Sequence, residues 1–228
     1  MFSQVFLAMT EQEMVSAPPN PTAYMACHFS AGGTGISNKP RVLPADSILL
    51  LDDSMPVQGH DPKTVVRQLN DLVSAFSVRA VLLDFQREPT AEAKEMAAAV
   101  LRECSCAAVT PAYALAGYPV FLPPPPVNKP LSVYLKPWET NRVFLELAPG
   151  GLEITITESG SRAVPVFSPS PLPLSDNRLH CHYGVTVFPG KAVFTLSRSR
   201  KDLADLAREA TELGVCGCVG LYQELNRL

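Results

Sequence analysis

The chain has 228 residues, of which 46% are hydrophobic and 18% charged, enough apolar material for one large core or two small ones. A formal charge of −3 offers no basic surface for nucleic acid. No apolar run approaches the roughly 20 residues a membrane helix needs, so neither nucleic acid nor membrane is expected as a partner.

The stretch from Met1 to Met9 is apolar but short, lacks a basic flank and is followed at once by Glu11 and Glu13. It does not read as a secretory leader, and the expected location is cytoplasmic. Tyr24-Met25-Ala26-Cys27-His28-Phe29 reads as a strand, with a Gly-rich turn at residues 31–35. That turn lacks the Lys of a phosphate-binding loop. Ile48-Leu49-Leu50-Leu51 is a second buried strand, ending at Asp52-Asp53. Asp61 then caps a helix with Pro62 in its first position and Val65, Val66, Leu69, Leu72, Val73 and Phe76 on one face.

Residues 80–86, Ala-Val-Leu-Leu-Asp-Phe-Gln, form an apolar run that ends in polar groups. This is the form of a strand covered on both faces, with ligand-facing residues at its C-terminal end. Thr90 caps a second helix, and Ala107-Ala108-Val109 is a further short strand with Tyr113 just beyond it. Strand and helix alternate here as in parallel βαβ units.

Pro123-Pro124-Pro125-Pro126 interrupts the alternation with extended polyproline geometry. Residues 143–147 and 152–157 flank Pro149-Gly150-Gly151 and read as a hairpin. Residues 165–173 form a Pro/Ser-rich connector, and Tyr183 to Leu196 reads as an extended pair turning at Pro189-Gly190. Ser199 or Asp202 opens a last helix, with Arg198-Ser199-Arg200-Lys201 as its solvated end. Residues 216–222 form a final buried strand, and Gln223-Glu224 follow it.

The buried strands number about eight, near residues 24, 48, 81, 107, 120, 143, 183 and 216. The expected fold is α/β: a compact, irregular (β/α)8 TIM-barrel-like domain over residues 1–228, with some helices replaced by loops and β-hairpins. An open doubly wound sheet with a β insertion is the competing architecture. No helical segment of ordinary length follows the final strand. Either Thr10 to Ser16 covers that flank or a partner subunit does, which would make the protein a homo-oligomer.

In a barrel, His28, Asp52, Asp53, Asp84, Gln86, Tyr113, Tyr222 and Glu224 fall near the strand C-termini, where such folds bind ligands. Asp84 and Glu224 are the candidates for acid–base work. Asp52, Asp53, Gln86, Tyr113, Tyr222 and His28 are the candidates for ligand contact. Glu224 could serve as an acid with Asp52, Asp53 or Asp84 as its partner. Each residue could instead cap a helix or bond a loop amide, which would leave a non-catalytic interaction protein.

His180-Cys181-His182 puts two imidazoles on one face of an extended segment, a conceivable zinc pair for a metal-dependent hydrolase. An exposed loop pair is the simpler reading. The six cysteines are expected as reduced thiols, since Cys27, Cys106, Cys216 and Cys218 lie in apolar runs. Cys104-Ser105-Cys106 and Cys216-Gly217-Cys218 lack the two-residue spacing of zinc knuckles and redox pairs. No metal or cofactor is expected.

The segment around Asp84 resembles the catalytic strand of the family 18 chitinases, which ends D-x-x-D-x-D-x-E. The matching positions here are Arg79, Leu82, Asp84 and Gln86, of which only Asp84 agrees. The resemblance implies a barrel that binds an oligosaccharide, with Asp84 beside the ligand. Gln86 stands where that family keeps its general acid, and an amide cannot supply the proton. It also implies aromatic platforms for sugar rings, for which Phe85, Tyr113, Tyr118, Trp138 and Tyr222 are the candidates.

Overall fold

A strand that is apolar at every position needs cover on both faces, and closing a parallel sheet into a barrel ringed by helices provides it. The computed structural model describes residues 5–16, 21–166 and 172–225. The strands with this unbroken apolar character are β1 (Val5–Met9), β2 (Thr22–Phe29), β4 (Ile48–Asp52), β5 (Ala80–Asp84), β6 (Ala107–Val109), β7 (Val120–Leu122), β8 (Val143–Glu146) and β14 (Gly217–Leu221). They pair in parallel in the order β1-β14-β8-β7-β6-β5-β4-β2, and β1 also pairs with β2, which closes the ring. A two-residue strand, β3 (Ile36–Ser37), lies antiparallel on β2. The fold is the expected compact, irregular (β/α)8 barrel.

Helices on the outside are unequal. α2 (Pro62–Phe76) and α3 (Ala91–Glu103) are full length, and each starts where the sequence places a cap. The Asp61 carboxylate accepts from the amides of Lys63 and Thr64, and the Thr90 hydroxyl accepts from Ala93. Their apolar faces cover β4 and β5 with Val65, Leu69, Met96 and Val100, all fully buried. α5 (Arg200–Glu212) has a full capping box between Ser199 and Asp202 and buries Leu203, Leu206 and Ala210. α1 (Glu11–Ser16), α4 (Leu131–Leu135) and α6 (Tyr222–Leu225) are only four to six residues long. No helix among the described residues is long and apolar enough to cross a membrane.

Inside the ring, small and large side chains alternate. Ala8, Ala23, Ala80 and Ala108 leave room for Phe6, Phe121 and Phe144, and Ile48, Leu50 and Leu82 fill the rest. The barrel is therefore a packed core except at its C-terminal mouth.

Two readings of the sequence need correction. Val143–Glu146 is the barrel strand counted near residue 143, parallel between β7 and β14, and not the arm of a hairpin with residues 152–157. The hairpin partner of β9 (Gly151–Thr157) is β10 (Gly160–Val166). The strand near residue 183, in contrast, lies outside the barrel. β12 (Cys181–Phe188) alternates polar and apolar residues and pairs with β11 (Leu174–Asp176) and β13 (Lys191–Ser197). Together they form a second, antiparallel sheet of order β10-β9-β13-β12-β11. This sheet is inserted between β8 and α5. The eighth barrel strand is instead Val5–Met9, where Val-Phe-Leu-Ala-Met is as unbroken as the other barrel strands. Residues 167–171 of the Pro/Ser-rich connector lie outside the described residues.

Arg198 also differs from expectation. It is 6% exposed rather than solvated. Its guanidinium donates to the carbonyls of Pro125, Pro126 (3.2 Å), Leu179 (3.1 Å) and His180 (3.3 Å). These bonds tie the polyproline segment after β7 to the inserted sheet.

Candidate functional site

Alternation along each barrel strand decides which polar residue faces the mouth. Leu50 and Leu82 point inward, so Asp52 and Asp84, two residues on, also point inward at the strand ends. The register aligns His28 with Asp52 and Asp52 with Asp84 in one row across three neighbouring strands. Phe144 points inward on β8, which brings Glu146 to the same rim. Asp52, Asp84 and Glu146 together line a cavity of about 110 Å³ whose other walls include Met25, Phe121, Val219 and Leu221.

Gly220 completes the wall. A Cβ there would sit 2.5 Å from the carbonyl oxygen of Leu147. Only glycine lets β14 approach that backbone, where the Leu147 amide donates to Val219 at 2.7 Å.

Three carboxyls in a small, apolar-walled space disfavour one another's charge. Burial pushes Glu146 up to about 7, and the charges of Asp84 and Glu224 add to the effect. Burial also raises Asp84, reinforced by Asp52 and Asp53 and opposed by the Gln86 side chain. Among the described residues, no salt bridge reaches Asp52, Asp84 or Glu146. Like charges gathered in a half-buried space work against stability, and such groups are characteristic of functional sites.

Gln86 lies on the exposed rim and donates to both oxygens of Asp84 at 3.2 Å. Glu224 is on α6, where burial raises its pKa, and its charge bears on Glu146. Glu146 thus stands electrostatically between Asp84 and Glu224.

The remaining sequence candidates lie elsewhere. Asp53 is 3% exposed, and its carboxylate accepts from the amides of Gln86 (2.9 Å) and Arg87 (3.0 Å), bracing the loop after β5. Tyr113 is buried in the outer core, edge-on to Phe85, with its hydroxyl donating to the Arg87 carbonyl. Tyr222 and Trp138 pack against the core beneath α4 and α5, and Tyr118 against that beneath α3. None of the five aromatic candidates lines the mouth cavity; Phe121 does. His180 and His182 do not converge on one point. Nε2 of His180 meets Glu209 at 2.5 Å and Nδ1 of His182 meets Asp202 at 2.9 Å, both contacts joining the inserted sheet to α5.

Glu146 is the residue the sequence reading missed. Its signal was present: Val-Phe-Leu-Glu has the same form as Ile-Leu-Leu-Leu-Asp and Ala-Val-Leu-Leu-Asp, an apolar run closed by an acid. Reading it as a hairpin arm hid the likeness.

No family model matches the sequence, and no curated protein matches it. Solved structures do. The spore cortex-lytic enzyme SleL of Bacillus cereus superimposes with a TM-score of 0.56 at 12% identity, over 96% of this chain and 70% of that one. The C-terminal domain of a provisionally named chitinase from Desulfitobacterium hafniense DCB-2 gives 0.55 at 8% identity, over 96% and 93%. The protein ydhD of Bacillus subtilis, provisionally named a sporulation-specific glycosylase, gives 0.51 at 11% identity, over 92% and 93%. At these identities the likeness is one of fold, a (β/α)8 barrel.

Proposed function

We propose that the chain binds an oligosaccharide at the barrel mouth and does not cleave it by the family 18 route. The observation that carries this reading is the Asp84–Gln86 pair. β5 is the fourth barrel strand counted from β1, and Gln86 follows it where the resembling family keeps its acid. The amide there is engaged in holding Asp84 and has no proton to give a leaving oxygen. Asp52, Asp84 and Glu146 would accept from sugar hydroxyls, Gln86 would hydrogen-bond at the rim, and Phe121 and Met25 would meet the apolar faces of a ring. His28 and Glu224 would border the ligand, while Asp53 and Tyr113 support the loop that carries Gln86. The fold shared with a cortex-lytic enzyme and a chitinase domain supports carbohydrate as the ligand class.

A thermal-shift titration with N-acetylglucosamine oligosaccharides tests the proposal. A ligand at a hundred times its dissociation constant adds about 2.7 kcal/mol of stability. The expected result is a rise in Tm for the wild type that disappears in Asp84→Ala. No rise with any oligosaccharide overturns it.

One observation favours a second reading, active hydrolysis. Glu146 is held near neutrality, which suits a general acid, and Asp84 could serve as its partner. In this reading Glu146 takes the role that the sequence alone offers to Glu224. Release of reducing ends by the wild type, lost in Glu146→Gln with ligand binding kept, would establish it.

A further inference from the structure

The opposite end of the barrel carries a second reactive group. α3 ends at Cys104, whose amide donates to the Val100 carbonyl at 2.8 Å. The chain then turns at once: the Ala107 amide donates back to the Cys104 carbonyl at 3.1 Å, and β6 begins. This turn places Cys104 and Cys106 on the same side of the backbone, with their sulfurs 3.8 Å apart and in hydrogen-bond contact. Cys104 is buried and Cys106 is half-buried. The two thiols are therefore inequivalent, one reachable from solvent and one held behind it.

We propose that Cys104 and Cys106 are a peroxide-reactive dithiol that closes to an intramolecular disulfide. Thiolates, not thiols, are the nucleophiles in such chemistry. The hydrogen bond between the two sulfurs is the main reason the Cys106 thiol is lowered to about 7, and the same bond, with burial, pushes Cys104 up. Cys106, the sulfur that solvent reaches, is the attacking group, and Cys104, buried behind it, the resolving one. In the first step the Cys106 sulfur forms a bond to one peroxide oxygen, the O–O bond breaks, and the departing hydroxide takes a proton to become water. In the second step the Cys104 sulfur attacks the sulfenic acid, the S–S bond forms, the S–O bond breaks, and hydroxide leaves with the Cys104 proton as a second water. The pair loses two electrons and hydrogen peroxide is reduced to two waters.

A disulfide needs the sulfurs at about 2.05 Å, so they must approach from 3.8 Å. Rotation about the side-chain bonds, with Cys106 partly free in solvent, accommodates this within one turn. The spacing of one residue is therefore no bar to a redox pair here.

The test is mass spectrometry of the full chain after brief exposure to hydrogen peroxide, followed by alkylation in denaturant and digestion. The expected result is a peptide spanning Cys104 and Cys106 that has lost two hydrogens and takes no alkyl group, with Cys27, Cys181, Cys216 and Cys218 still alkylated. In Cys104→Ser, dimedone should instead trap a sulfenic acid at Cys106. A wild-type chain with Cys104 fully alkylated, with Cys106 over-oxidised, or with either joined to a different cysteine would overturn the proposal. The wild-type readout does not depend on whether the variant folds.

Discussion

Gln86 holds Asp84 by a forked contact, its side-chain amide 3.2 Å from each carboxylate oxygen. Hydrogen bonds to the ionised form favour ionisation, and they oppose the burial that raises Asp84. The rim amide therefore does the work of a cation without bringing a charge.

Gln86→Glu reverses this. An ionised carboxylate at that position cannot donate, and it adds a further negative charge beside Asp84, Asp52 and Glu146. The variant should lose about 1 kcal/mol of stability near pH 8. Near pH 4 a protonated carboxyl donates again and the loss should shrink. Urea unfolding at the two pH values measures the difference; an equal loss at both would show that charge is not the cause.

Glu146 gives the pH dependence its sign. Its ordinary value is 4.5 and its folded value about 7. Below the ordinary value both folded and unfolded chains hold the proton. Between the two values only the folded chain does, so this contribution is full at low pH and is lost as pH rises through 7. Glu146→Gln stays neutral throughout. The variant should match the wild type near pH 4.5 and exceed it by about 2 kcal/mol near pH 8, after allowing for partial solvent screening. Denaturation midpoints across this range check it, and a variant that is less stable than the wild type near pH 8 would contradict it.

Asp52 and Asp53 are neighbours in sequence with opposite duties, because alternation sends one inward and the other outward. Asp53→Ala strips the acceptor from two backbone amides, those of Gln86 and Arg87. Losing the shared acceptor of these part-buried bonds should cost about 1 kcal/mol. Asp52→Asn keeps an acceptor for the Ser54 amide, which Asp52 now holds at 2.8 Å, and removes one charge from the mouth. Its stability should equal or exceed that of the wild type, while the proposed oligosaccharide binding should weaken. Calorimetric unfolding separates the two variants, and a larger loss for Asp52→Asn than for Asp53→Ala would reverse the assignment.

Much of the barrel was legible because its strands advertise burial on both faces. Ile48-Leu49-Leu50-Leu51 and Ala80-Val81-Leu82-Leu83 have no polar side to show water, and each is followed by a capped helix. One barrel strand was left out and one was drawn from the wrong sheet, for a physical reason. Val5–Met9 is followed by no long helix, and Cys181–Phe188 is an extended segment whose alternating residues belong to a second sheet. Counting extended segments outweighed the difference between alternating and unbroken apolar patterns. At the site, the place of Asp84 at a strand C-terminal end was legible, but the burial of Asp53 and Tyr113 was not. Both are polar residues spent on loop carbonyls and amides, and sequence does not distinguish that use from ligand contact.

Arg198 shows the same limit from the other side, since a cluster of cations at a helix start looks solvated until its partners are known. Its guanidinium reaches four carbonyls, two on the polyproline segment and two on the turn before β12. The planar fork suits this task, and a lysine ammonium cannot replace it. Burial lowers the Arg198 pKa, but a guanidinium remains charged at any working pH. Arg198→Lys should therefore cost about 2 kcal/mol, through carbonyls left unpaired rather than through lost charge. The loss should be local as well as global. Amide hydrogen exchange should speed up in residues 179–183 and in β13, while β4 and β5 keep their protection. The His180–Glu209 and His182–Asp202 contacts still join the inserted sheet to α5 in the variant, so the sheet should loosen without detaching. Uniform faster exchange across the barrel strands would show instead that Arg198 supports the whole fold and not this one junction.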